Sequence, residues 1–108
     1  MHYVMFAYDA TDEGAYERRM NARQAHLDYM AENMKRGTMV YGAALMNEEE
    51  KMIGSIIVTN FATRAQAEAW LEADPYVQQN VWGNITLTAC KMGPSFEPLF
   101  NQIYKKSA

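Results

Sequence analysis

Three side chains in this sequence have the types and placement to move a proton and hold an anion: His26, Asp74 and Arg23. His26 is the only interior histidine, since His2 sits at the terminus. A carboxylate bonded to one imidazole nitrogen fixes the tautomer and strengthens the other nitrogen as a base, which suits acid–base work near neutral pH. Asp74 is the carboxylate that could do this. Arg23 precedes His26 by three residues, so on a helix the two share a side. Its guanidinium could take an anionic ligand oxygen, or pair with a glutamate and cover apolar surface with its stem. Tyr76, just past Asp74, could line the same pocket. Each group also has a plain structural reading. Asp74-Pro75 is a helix-capping signature. A histidine beside an apolar stripe can be a hydrogen-bonded core residue, and Tyr76 can simply pack.

The elements that must position these groups are legible from periodicity. Residues 3–9 read as a strand whose two alternating sets, Val4, Phe6, Tyr8 and Tyr3, Met5, Ala7, are both apolar, so both faces should be covered. After a polar loop, residues 15–36 carry Tyr16, Met20, Leu27, Met30 and Met34 at helical spacing, with Arg23 breaking the stripe. Lys35-Arg36-Gly37 supplies terminal cations and a glycine cap. Strands follow at 38–45 and 53–61, joined by the charged turn 47–51. A helix over 63–71 starts on a capping-box spacing, Thr63 to Gln66. Asp74 caps a short turn to Asn80, and residues 82–92 alternate as a fourth strand.

The order β-α-β-β-α-β is the split βαβ pattern of ferredoxin-like α+β domains: a four-stranded antiparallel sheet with two helices on one face. Both helices then lie over the same side, so His26 on the first could approach Asp74 past the second. The bare, apolar face predicts a homodimer packed sheet to sheet. The domain is expected over residues 1–92. Residues 93–108 form a tail, with Phe96, Leu99, Phe100, Ile103 and Tyr104 at amphipathic spacing and Pro98 where a helix could begin.

The chain has 108 residues, 49% hydrophobic and 21% charged, with net charge −3, which argues against a nucleic-acid partner. No apolar run reaches the ~20 residues of a membrane span, and the N-terminus reads as a strand rather than a signal peptide. A soluble, cytoplasmic protein is expected. The single cysteine, Cys90, excludes an internal disulfide and reads as a buried structural thiol. Nine methionines suit adaptable core filling, or a pocket for a flat, polarizable ligand.

The segment Arg23-x-Ala25-His26, the pair Gly42-Ala43 and the segment Asp74-Pro75-Tyr76-Val77 together resemble the YciI-like (YCII-related) family over residues 1–92. Two departures stand out: Gly42-Ala43 replaces a usual Gly-Pro, and Asn80 stands where a glycine is usual. The resemblance implies a dimeric ferredoxin-like α+β barrel with His26 and Asp74 as an active-site pair. Within the family the chain is most similar to members that dehydrochlorinate chlorohydroxyhydroquinone. That likeness implies a cofactor-independent carbon–halide lyase releasing HCl from a small phenolic substrate to give hydroxybenzoquinone. His26 would shuttle the proton, Asp74 would orient it, and Arg23 and Tyr76 would bind substrate, with no metal. The rival expectations are a ring isomerase or monooxygenase of the same fold, and a non-catalytic module that binds small aromatics or serves in stress.

Overall fold

In the computed structural model, which describes residues 1–102, the chain runs β1 (His2–Asp9), α1 (Ala15–Lys35), β2 (Met39–Met46), β3 (Met52–Asn60), α2 (Arg64–Glu72), α3 (Pro75–Gln78), β4 (Trp82–Cys90) and α4 (Glu97–Phe100). The strands form one antiparallel sheet in the order β2-β3-β1-β4. This is the ferredoxin-like arrangement the pattern predicted. β1 and β3 are central, so the inward set of β1 (Tyr3, Met5 and Ala7) is buried against the helices together with Ile57 and Thr59 of β3. The core closes with Ala22, Trp70, Tyr76 and Trp82.

The outward set of β1 is open within this chain, the bare sheet face that the split βαβ order implies: Phe6 and Tyr8 are exposed, as is Tyr41 on β2. A period-two apolar pattern fixes which residues share a face, not what lies against it. A sequence expectation needs correction on α1, where the apolar stripe is not the buried line. Tyr16, Met20, Leu27 and Met34 are exposed, whereas Ala15, Arg19, Ala22, His26 and Asn33 are buried. The physical reason is closeness. Alanines let the helix approach the sheet, and the larger side chains turn to the flanks, where Leu27, Met30 and Met34 wall a cavity. Tyr16 instead carries the Lys51 ammonium 4.2 Å above its ring.

The punctuation of the chain follows its residues. Gly37 adopts φ 75°, and the amides of Gly37 and Thr38 return to the carbonyls of Met34 and Asn33, closing α1. Thr63 and Gln66 form the full capping box of α2. Asn80 takes φ 58°, the left-handed conformation a glycine would otherwise supply. Cys90 is half-buried at the end of β4 rather than buried, because β4 is an edge strand. In the tail, α4 is a single turn; Phe96 and Leu99 are exposed, while the Phe100 ring meets His2 edge-on at 5.6 Å. Ile103 and Tyr104 lie outside the described residues.

Candidate active site

α3 is the element that assembles the site. Pro75 drives Asp74 into extended geometry, φ −67° and ψ 131°, and starts the next turn. As N-cap, Asp74 then accepts the Tyr76 amide on Oδ1 at 2.9 Å. The same oxygen lies 2.8 Å from Nδ1 of His26 on α1. An ionised carboxylate only accepts, so Nδ1–H donates and Nε2 is left to present its lone pair. His26 lines the cavity between α1 and β2, and Nε2 has no hydrogen-bond partner among the described residues. Asp74 therefore does two things at once: it caps α3 and holds the imidazole.

The burial is more than a cap requires. Asp74 is fully buried, and its Oδ2 has no partner among the described residues. A cap works as well at the surface, whereas a buried, half-satisfied carboxylate costs stability. Around the dyad the packing is aromatic. The His26 ring stacks on Tyr76 with centroids 3.9 Å apart and planes 7° apart, and the Trp82 ring meets His26 edge-on at 5.8 Å.

Tyr76 lines the cavity beside His26, although only 1% of its surface is exposed. Burial raises its phenol pKa above the ordinary 10.0, with the Arg19 and Arg23 cations pulling the other way. At neutral pH it is protonated and can donate, not abstract, a proton.

Sequence reading missed Arg19. Its guanidinium is 2% exposed and pairs with Asp9 at the end of β1, Nε to Oδ2 at 2.7 Å and Nη2 to Oδ1 at 3.2 Å. Nη2 also donates to the Gly54 carbonyl at 2.8 Å and to Ser55 Oγ at 3.0 Å. Nη1 reaches the Tyr76 hydroxyl at 3.5 Å, and the guanidinium carbon lies 4.8 Å from the Tyr76 ring centroid. One signal was available: Arg19 precedes His26 by seven residues, two helical turns on the same face. Gly54 admits this close approach of β1 and β3, since a Cβ there would collide with the Ala7 carbonyl oxygen.

Arg23 is exposed at the cavity wall and makes no hydrogen bond or ion pair among the described residues. With Arg19 committed to Asp9, Gly54 and Ser55, Arg23 is the cation left for a ligand. The cavity holds about 440 Å³, polar at Arg19, Arg23, His26 and Ser55 and apolar beyond. Chemically, the arrangement offers a proton acceptor or donor at His26 Nε2, an anion-binding cation nearby and a flat apolar wall.

Residues 1–91 match the family described as YCII-related domain. Protein YciI of Escherichia coli O6:H1 is 27% identical over 97 residues, covering 84% of this chain and 97% of that protein. Among solved structures, 5-chloro-2-hydroxyhydroquinone dehydrochlorinase from Burkholderia phenoliruptrix AC1100, in complex with 2,5-dihydroxybenzoquinone, has a TM-score of 0.75 at 17% identity, over 88% of this chain and 98% of that one. A dimeric ferredoxin-like protein from Jannaschia sp. CCS1 has a TM-score of 0.50 at 17% identity, over 84% and 98%. At these identities the structures establish a shared fold.

Proposed function

The chain belongs to the YCII-related domain family, and from that premise we propose that it is a cofactor-independent acid–base lyase that removes HCl from a chlorinated hydroxyhydroquinone ring. The observation that carries this reading is the 2.8 Å contact between His26 Nδ1 and the buried Asp74, with the other ring nitrogen left for the cavity. The similar fold of a dehydrochlorinase that binds a dihydroxybenzoquinone supports the choice of ring.

The steps balance with groups at hand. His26 Nε2 accepts the proton of the hydroxyl next to the chlorinated carbon, and the imidazolium is held by Asp74. Returning that proton to the chlorinated carbon makes it sp³ and the neighbouring oxygen a ketone. Ionisation of the hydroxyl para to that ketone, its oxygen held by Arg23, pushes electrons through the ring double bond and expels chloride. One C–H bond forms, one C–Cl bond breaks, and the products are hydroxybenzoquinone and HCl. The ring is oxidised at the expense of its own C–Cl bond, so these steps draw on no external oxidant. The dimer belongs to the same reading, with the exposed Phe6, Tyr8 and Tyr41 of the open sheet face meeting a second copy.

The test is anaerobic incubation with chlorinated and unchlorinated hydroxyhydroquinone, following free chloride and the quinone absorbance. Chloride and quinone should appear together from the chlorinated ring, and His26→Ala should stop both while leaving the size in solution unchanged. Turnover that requires oxygen would point to a monooxygenase instead. An aromatic recovered unchanged would make the protein a binding module.

A further inference from the structure

The cavity is larger than the ring chemistry needs, and its excess has one direction. Its polar groups gather at Arg19, Arg23, His26 and Ser55, but it continues along α1 past Leu27 and Met30 to Met34. From His26 to Met34 the helix advances roughly 12 Å. The opposite wall is β2, running from Met39 through Val40 and Tyr41 to the small residues at 42–44. At about 440 Å³ the space falls in the range that encloses drug-sized ligands rather than a single ring. The far end opens to solvent, where Met34 is 56% exposed. Methionine side chains on this wall are flexible and conform to apolar ligands of varied shape.

We infer that the natural substrate is an amphiphilic phenol: a hydroxylated ring seated at His26 and Arg23, carrying an apolar arm that runs along the α1–β2 groove to Met34. The identity of the ring rests on the function proposed above; the arm rests on the groove alone. A bound arm exchanges water for Leu27, Met30 and Met34, and its reach ends where the groove opens. The polar cluster at one end sets the orientation, because Arg23, His26 and Ser55 gather there to meet the ring hydroxyls.

Binding of resorcinol and its ethyl, hexyl and dodecyl derivatives, measured by calorimetry on the intact protein, tests the arm without turnover. Affinity should rise by roughly fourfold per added methylene while the chain lies in the groove. It should level off once the chain passes Met34. Met34→Asp, at an exposed position, should flatten the series, while Met34→Leu should keep the rise. A flat series in the unmodified protein, or a rise that survives Met34→Asp, overturns the inference. A second copy covering the groove would give a flat series and a Met34→Asp protein of altered size, which also overturns it. Chloride release from the chlorinated ring with a flat series removes the arm and keeps the ring chemistry. A steep series without chloride release keeps the arm and removes the ring chemistry.

Discussion

The rings of His26 and Tyr76 lie parallel, 3.9 Å between centroids, and one oxygen of Asp74 holds both residues, the first by Nδ1 and the second by its amide. The cap of a four-residue helix and the orientation of an imidazole are thus one device. Loss of the carboxylate would disturb the imidazole and the ring stacked on it together.

His26→Ala should lower chloride release by about 10²–10⁴, the usual worth of a general acid or base. Asp74→Asn should keep α3, because asparagine caps as well as aspartate. It should still cost activity, by up to about 10⁴, because an amide can present N–H to Nδ1 and invert the tautomer. Nitrogen NMR of the imidazole reads the tautomer directly; an unchanged spectrum and unchanged rate in Asp74→Asn would remove Asp74 from the mechanism.

Tyr76 should act as a positioning residue. Tyr76→Phe keeps the stacked ring and should retain kcat, whereas Tyr76→Leu removes the flat wall and should lower kcat more than it raises KM. Equal losses in both variants would shift the role to the hydroxyl. The comparison needs circular dichroism to show that both remain folded.

The two arginines should separate stability from binding. Arg19→Met leaves Asp9 beneath the sheet end without its cation and should destabilise the fold by about 3–5 kcal/mol, measured by denaturant midpoint. Arg23→Met removes an exposed group without a partner among the described residues, and stability should stay within about 0.5 kcal/mol. KM for an anionic phenol should rise in Arg23→Met. A stable Arg19→Met protein would show that the buried pair is dispensable.

Acid stability should depend in part on Asp12. Its two oxygens each take an Arg18 nitrogen at 2.7 Å, and this hydrogen bonding holds the carboxyl at about 2, below its ordinary 3.8. A carboxyl depressed by folding contributes stability above its unfolded pKa and loses that contribution as pH falls through its folded pKa. The contribution is therefore present above pH 3.8 and lost on descending to about 2. Acid unfolding followed by fluorescence should be less steep over that window in Asp12→Asn, and the difference should shrink in high salt because the pair is exposed.

Taken alone, the sequence determined much of this protein. Period-two strands, the capping box at Thr63, the glycine at 37 and the Asp74-Pro75 corner are local signals, and each set its element within a residue or two. Element order then implied the sheet topology and put His26 and Asp74 where the two could meet before any distance was known. Tertiary structure decided what local periodicity cannot carry. It buried Arg19 and turned the apolar stripe of α1 outward, because which helical face meets the sheet depends on how closely the backbones approach, and alanine allows the closest approach. It also stacked Tyr76 flat against the imidazole at the cavity, because the cap at Asp74 fixes where that ring must go.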